Sequence, residues 1–253
     1  MDKFFFIIFV QINSMNVEVF ISCCVNQFSP QTGDNLISLL RKLGNKVEND
    51  VFSHCCGRFL YENGSFKESK LLSQKLIDAF KANNYIVGCS ASCIGYIKND
   101  MEKQFIHSPN YASYKRVSEK VVDITEFLVD IAQIYDVGAY FPHKVSILYN
   151  CKALNEYNIV EETKVLLQNV KGLEIVSKNI NNFCCGYGGM FSLKNDAISE
   201  AMAKKKIEQI MDEGAEYVVS SDLSCLLHLK SYIDKNKINL KTIHIIDLLT
   251  QQQ

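Results

Sequence analysis

Residues 84–93 read NYIVGCSASC, and residues 216–225 read EYVVSSDLSC. Each segment begins with a short apolar run that predicts a buried strand, and each leads into a cysteine. The two segments align residue for residue, with tyrosine at Tyr85 and Tyr217 and cysteine at Cys93 and Cys225. Two copies of one segment in a single chain predict a repeated structural unit.

Three further matches occur in the same order in both halves, and together the four matches are offset by 121 to 132 residues. The matched segments are Leu39-Leu40 with Leu166-Leu167, Cys55-Cys56-Gly57 with Cys184-Cys185-Gly186, and Val122–Leu128 with Ile243–Leu249. This shared order favours duplication over chance. We therefore predict two tandem, pseudo-symmetric units, residues 15–140 and residues 141–253.

Strand-like and helix-like patterns alternate within each unit. Val17–Ile21 and Val145–Tyr149 suit buried strands, whereas apolar residues recur at helical spacing from Leu36 to Leu43. This alternation predicts an α/β fold in which each unit is a small, mostly parallel sheet flanked by helices. Between the units, a further apolar stripe predicts one helix; its members are Val117, Val121, Ile124, Leu128 and Ile131.

The composition places the chain among ordinary globular proteins. It has 253 residues, of which 47% are hydrophobic and 22% charged, and its formal net charge is −1. This charge offers no basic surface for nucleic acid, so no nucleic-acid partner is expected. The run Phe4–Val10 is far shorter than the roughly 20 residues that span a bilayer, so no integral membrane segment is expected. We interpret residues 1–14, which precede Met15, as a dispensable or non-native extension.

Ten cysteines are the unusual feature of the composition. No convincing cleavage site follows the N-terminal apolar run, so a cytoplasmic location with reduced thiols is expected. Clustered reduced cysteines usually serve metal or redox chemistry. Eight of the ten recur between the units: Cys23, Cys55, Cys56 and Cys93 in the first, and Cys151, Cys184, Cys185 and Cys225 in the second. Cys24 and Cys89 have no counterpart, and packing and ligation both remain open for them.

The adjacent cysteines favour a cofactor with several metal atoms. Neighbouring side chains in a strand point to opposite faces, so the two sulfurs of a Cys-Cys pair can bind the same cofactor only if the pair lies in a loop. Zinc motifs usually separate their ligands by two or more residues, whereas a multi-iron cluster accepts neighbouring thiolates on different irons. Gly57 and Gly186 would permit close approach and offer N–H donors to sulfur. An iron–sulfur cluster is therefore favoured, with zinc or a redox-active thiol pair as alternatives.

The pattern of a lone cysteine, a later Cys-Cys-Gly and a terminal cysteine-rich element, present twice, resembles the cysteine-rich CCG domain family. The resemblance extends over about residues 17–250. Asn169–Glu174, Cys184–Ser192 and Ile243–Leu249 are most similar to the iron–sulfur subunits of lactate-utilisation systems within that family. The resemblance implies that the chain is an electron-transfer subunit of a three-protein complex that oxidises L-lactate to pyruvate. It also implies that the chain is inactive without its partners. The implied partners are the other subunits, including a ferredoxin-like iron–sulfur protein.

By position, the resemblance implies that the four repeated cysteines of each unit hold a cofactor, with [4Fe-4S] as the expected cluster and zinc at one site as the alternative. The chain departs from the related heterodisulfide reductases, whose fuller pattern ends in Cys-x-x-Cys, because it has Cys89-x-x-x-Cys93 and only Cys225. That difference weighs against a five-cysteine cluster. A heterodisulfide-reductase-like protein, a glycolate-oxidase iron–sulfur protein and a zinc-stabilised scaffold are the alternative functions.

Overall fold

The computed structural model describes residues 14–48, 52–80, 83–177 and 183–252. They form two all-parallel sheets flanked by helices, which confirms the predicted α/β fold with two tandem units. The proposed N-terminal extension lies, apart from Ser14, outside the described residues. The exact boundary between residues 140 and 141 stays a prediction. None of the described helices is long and apolar enough to cross a membrane.

Five described strands build the sheet of the first unit, in the order β2-β1-β4-β5, with β3 pairing along the C-terminal half of β1. The strands are β1 (Asn16–Ser22), β2 (Lys46–Val47), β3 (Phe52–His54), β4 (Tyr85–Gly88) and β5 (Val121–Asp123). The helices are α1 (Cys23–Phe28), α2 (Pro30–Lys42), α3 (Arg58–Glu62), α4 (Phe66–Ala79), α5 (Ala91–Gly95), α6 (Glu102–Phe105), α7 (Tyr111–Lys120) and α8 (Ile124–Glu126). Tyr96–Asp100 continues α5 and Phe127–Ile131 continues α8 as π-helical turns.

The second unit repeats this plan with the strand order β7-β6-β8-β9. Its strands are β6 (Lys144–Ile147), β7 (Glu174–Ile175), β8 (Tyr217–Ser220) and β9 (Lys241–His244). Its helices are α9 (Glu161–Gln168), α10 (Met190–Lys194), α11 (Asp196–Asp212), α12 (Leu223–Lys235) and α13 (Ile245–Leu249), with a π-helical turn at Ala153–Tyr157. The observed β6 ends at Ile147, two residues before the end of the predicted strand.

The prediction that one helix contains the apolar stripe from Val117 to Ile131 is wrong. Helix α7 ends at Lys120, the chain then forms β5, and a new helix begins at Ile124. Pairing with β4 takes Val121 and Val122 out of the helix, since hydrogen bonding and burial in a sheet override helical periodicity. Four members of the stripe are still buried, but Val121 is buried in a strand and not on the face of a helix.

The last helix of each unit packs against the other unit. Helix α13 lies against α2 of the first unit, and α8 lies against α9 of the second. Buried side chains from all four helices therefore share one hydrophobic core, including Leu40, Ile124, Leu167 and Leu248. Burial of apolar surface is the main stabilising term of such a core, so the two units are joined by their cores as well as by the chain.

Asp247 stabilises the packing of α13 against α2 with two hydrogen bonds between the units. It accepts from Thr32 Oγ1 at 2.7 Å and from Asn35 Nδ2 at 2.8 Å. We expect Asp247→Ala to lower the free energy of unfolding by about 1–3 kcal/mol, because two donors on α2 lose a charged acceptor. The control Asp234→Ala removes an exposed ion pair with Lys230 and should cost less than about 1 kcal/mol. Urea unfolding followed by circular dichroism measures both, and equal losses would contradict the prediction.

Candidate functional site

All eight repeated cysteines lie at the carboxyl edges of the two sheets. In the first unit Cys23 follows β1, the Cys55-Cys56 pair follows β3, and Cys93 lies in α5 just after β4. Parallel strands end at a common edge, where ligand sites of α/β sheets form. In the second unit the same arrangement places Cys151 after β6 and Cys225 in α12 after β8. The two cysteine pairs lie in loops, as predicted.

Within each unit the four cysteines form a chain of contacting thiols. In the first unit, hydrogen bonds join Cys23 to Cys55, Cys55 to Cys56, and Cys56 to Cys93. The second unit has the same chain, which runs through Cys151, Cys184, Cys185 and Cys225. Cys23 and Cys151 are exposed, whereas the last two members of each chain are buried. Residues up to 74 positions apart, Cys151 and Cys225, thus meet in one site.

In the first unit, interactions among the thiols shift their pKa values in opposite directions, whereas the pKa values of all four thiols of the second unit are raised. The pKa of Cys55 is held well below its ordinary value by hydrogen bonds from Cys23, Cys56 and the Gly57 N–H. The same hydrogen bond raises the pKa of Cys23, which retains the shared proton.

Left-handed glycines shape both Cys-Cys-Gly loops. Gly57 has φ of +95° and Gly186 has φ of +97°, a region that other residues rarely adopt. Each glycine N–H points at the first sulfur of its pair, and the distance to Cys55 Sγ or to Cys184 Sγ is 3.4 Å in both cases. The predicted approach of glycine N–H groups to sulfur is therefore present in the structure.

A serine from the second helix after each loop, α4 or α11, holds the loop in place. Ser69 Oγ donates to the Gly57 carbonyl at 3.0 Å, and Ser199 Oγ donates to the Gly186 carbonyl at 2.7 Å. These serines contact further partners three residues beyond the last cysteine of each unit: Tyr96 in the first and His228 in the second. Sequence reasoning had found no role for His228. His228 follows Cys225 by three residues, as Tyr96 follows Cys93, and this equivalent position could have indicated a role at the site.

Two charged residues lie between the cysteine sites, the half-buried Arg58 and the buried Asp222, and sequence analysis missed both. Arg58 directly follows the first Cys-Cys-Gly, and its positive charge acts on Cys93, Asp222 and Cys56. Asp222 caps α12 and accepts from Ser224 N at 3.1 Å and from Ser92 N of the first unit at 3.3 Å. Burial favours the neutral acid, but Arg58 and these hydrogen bonds hold the pKa of Asp222 below its ordinary value. The repeat aligns Asp222 with Ser90, so the charge breaks the pseudo-symmetry.

Cys24 and Cys89 stand outside the two thiol chains. Cys24 is half-buried, and burial together with the nearby Asp222 carboxylate raises its pKa to about 12. Cys89 is buried, and its backbone carbonyl accepts a hydrogen bond from His244 Nε2 at 3.1 Å. Both side chains pack in the core that joins the units, which favours packing over ligation for each.

The residues of each site fit a sulfur-ligated cofactor by their chemistry. Four thiols converge, a glycine N–H faces one of them, and buried neighbours limit access of water. Thiolates are soft ligands that suit iron–sulfur clusters and zinc. Within the described residues, no group of three or more histidine, cysteine, aspartate or glutamate side chains has the arrangement that would hold a single metal ion.

Comparison with known families gives two matches to one domain. The model of the cysteine-rich domain CCG matches residues 17–98 and residues 145–230. These ranges contain all ten cysteines, and each range begins within the first strand of one unit. The match confirms the resemblance that the paired Cys-Cys-Gly pattern indicated.

Curated relatives extend the similarity over nearly the whole chain. Lactate utilization protein A 1 of Bacillus mycoides is 33% identical over 243 residues, which cover 94% of this chain and 98% of that protein. Lactate utilization protein A of Oceanobacillus iheyensis is 31% identical, with coverage of 93% and 96%. Among solved structures, glutamate racemase of Francisella tularensis matches with a TM-score of 0.41 at 14% identity, over 93% of this chain and 78% of that one. A likeness at that level supports no conclusion about function.

The glycine of the second Cys-Cys-Gly offers a test of the loop geometry. A Cβ at Gly186 would lie 2.6 Å from the Ser199 carbonyl oxygen, whereas a Cβ at Gly214, with φ of +79°, would meet nothing within 4 Å. Left-handed backbone costs an alanine about 1–2 kcal/mol, so Gly214→Ala should lose about that much. We expect Gly186→Ala to lose roughly 1–3 kcal/mol more, because the loop must move away from α11. Urea unfolding of both variants measures the difference, and equal losses would exclude the clash.

Proposed function

The chain belongs to the family of cysteine-rich CCG domain proteins, and from this membership we propose that it is the iron–sulfur electron-transfer subunit of a complex that oxidises L-lactate to pyruvate. The observation that carries the proposal is the convergence of four cysteines in each unit. The lactate assignment rests on the curated relatives, which are named lactate utilization protein A and match 93–94% of this chain.

We assign one cofactor site to each chain of thiols. Cys23, Cys55, Cys56 and Cys93 would hold the first cofactor, and Cys151, Cys184, Cys185 and Cys225 the second. The proposed [4Fe-4S] clusters would supply one-electron transfer when bound. Zinc at one site is the alternative, and it would make that site structural.

The residues around the thiols would stabilise negative charge on a cofactor and limit its contact with water. The N–H groups of Gly57 and Gly186 stabilise negative charge on sulfur. Arg58 adds a positive charge beside the buried end of the first thiol chain. The exposed Cys23 and Cys151 lie at the opposite ends of the two chains, where the sites approach the protein surface. An electron partner would approach each site from that side.

Oxidation of the substrate is assigned to partner subunits. Removal of hydride equivalents from a 2-hydroxy acid requires a general base and an acceptor for two electrons. No Gly-x-Gly-x-x-Gly opens a helix of this sequence, so it carries no flavin or nicotinamide fingerprint of that kind. The other subunits of the complex, including a ferredoxin-like iron–sulfur protein, would supply the acceptor and pass electrons through this chain.

Metal content tests the cofactor assignment. We expect protein purified without oxygen to contain iron and acid-labile sulfide in comparable amounts. Cys184→Ala and Cys225→Ala should each lose more iron than Cys24→Ala, because only the first two belong to a thiol chain. Their stability should fall as well, since ligand binding and folding are coupled. Stoichiometric zinc without sulfide would favour the scaffold alternative, and equal iron in all three variants would contradict the ligand assignment.

Lactate-dependent dye reduction tests the assignment as a subunit. We expect no turnover from this chain alone and turnover when it is co-expressed with the proteins encoded beside it, because those proteins would supply the two-electron acceptor. The matched control is the same complex with Cys184→Ala, which should lose most of the activity. Turnover by the single chain would make it a complete dehydrogenase. Failure of the neighbours to restore activity would favour a glycolate or disulfide substrate.

A further inference from the structure

We propose that Ser92 and Asn150 form a donor set, drawn from both units, that hydrogen-bonds to the cofactor of the second cysteine site and raises its reduction potential. This inference rests on the proposed function, because it assumes a sulfur-bearing cofactor at Cys151, Cys184, Cys185 and Cys225. It adds residues outside the cysteine motifs to that site and makes the second site depend on the first unit.

A small cavity lies where the two units meet. Its volume is about 70 Å³, and its lining includes all four cysteines of the second site. Arg58 and Ser92 of the first unit line the same cavity, together with Asn150. Its other charged residues are Lys152, Glu62 and Asp222; Glu62 lies 3.7 Å from Lys152 and 4.0 Å from Arg58, and the charge of Arg58 lowers the pKa of Asp222. The pairing of these charges leaves hydrogen-bond donors as the distinctive feature of the lining.

Two buried polar atoms in this lining have no hydrogen-bond partner among the described residues. They are the amide nitrogen Nδ2 of Asn150, a residue that is 5% exposed, and the hydroxyl of Ser92, a residue that is 3% exposed. The Ser92 hydroxyl lies close enough to the Asp222 carboxylate to help lower its pKa, but it has no partner in hydrogen-bonding geometry. Polar groups this deeply buried are normally satisfied, because leaving them unpaired is unfavourable. Both atoms line one cavity beside four thiols, which points to a ligand with acceptor atoms at that place.

The equivalent positions of the first unit lack these spare donors. Asn150 corresponds to Ser22, and each caps the helical turn after it: Ala153 N donates to Asn150 Oδ1 at 2.6 Å, and Val25 N donates to Ser22 Oγ at 3.4 Å. Asparagine performs this cap and keeps an NH₂ group free, which serine cannot do. The hydroxyl of Ser224, which corresponds to Ser92, is engaged with Asp222. The extra donors are therefore specific to the second site.

Hydrogen bonds to cluster sulfur favour the reduced form, since reduction adds negative charge to the acceptor atoms. Each donor should therefore move the midpoint potential of the second cluster in the positive direction. The first site lacks the two spare donors, so removal of the donors should affect the two clusters differently.

The test compares Asn150→Ser and Ser92→Ala with the control Asn169→Ser. Asn150→Ser keeps an oxygen to cap the helical turn, as Ser22 does, and loses the free NH₂. Ser92→Ala keeps the backbone N–H that donates to Asp222. Asn169 is exposed and donates to the Val165 carbonyl of α9, far from the cavity lining. Reconstituted proteins are compared by iron and sulfide content and by redox titration followed by EPR.

We expect both donor variants to retain iron and sulfide and to shift the midpoint of one cluster to a more negative potential. That cluster should be the signal that Cys184→Ser removes and Cys55→Ser retains, and the control should leave both midpoints unchanged. Ser92→Ala provides the measurement by itself if Asn150→Ser lowers the iron content.

Unshifted midpoints in variants with full iron and sulfide would overturn the donor-set inference and leave the proposed function intact. A spectral change of the second cluster when L-lactate is added to the unchanged protein, abolished by Asn150→Ser, would show that the donors bind a carboxylate and would also overturn it. Absence of any sulfide-containing cluster in the unchanged protein would instead overturn the proposed function.

Discussion

Left-handed backbone at Gly57 and Gly186 is the constraint on which both cysteine sites depend. At φ near +95° the chain turns sharply after two adjacent cysteines, and the glycine N–H then faces the first sulfur. Helices α4 and α11 can approach so closely only because no Cβ intervenes, and their serines, Ser69 and Ser199, donate hydrogen bonds to the glycine carbonyls. One residue type thus fixes the turn, the sulfur environment and the packing of α4 and α11.

The exchange of closing helices makes the two units interdependent. Helices α8 and α13 each bury apolar side chains against the other unit, and the shared core contains residues from both sheets. This packing also sets the distance between the sites, because Asp222 of the second unit accepts a hydrogen bond from Ser92 of the first. A change in the core between the units is therefore felt at both sites.

The two units have diverged at the positions that face the cysteines. Arg58 follows the first Cys-Cys-Gly where Tyr187 follows the second, and Asp222 stands opposite Ser90 in the repeat. A positive charge beside the first thiols and spare donors beside the second give chemically different surroundings to similar ligand sets. Since surroundings as well as ligands set the potential of a cluster, these differences would give the two proposed clusters different potentials.

Local sequence determined the strands that begin each unit, the glycine at φ of +83° that follows the end of α2, and the eight cysteines of the sites. These features follow from the spacing and conformational limits of neighbouring residues. Only the tertiary structure decided that Val121 joins a sheet, that the closing helices exchange, and that Asn150, Ser92 and His228 reach the cysteine sites. Those outcomes depend on contacts between residues far apart in the chain, which periodicity and motif spacing do not record.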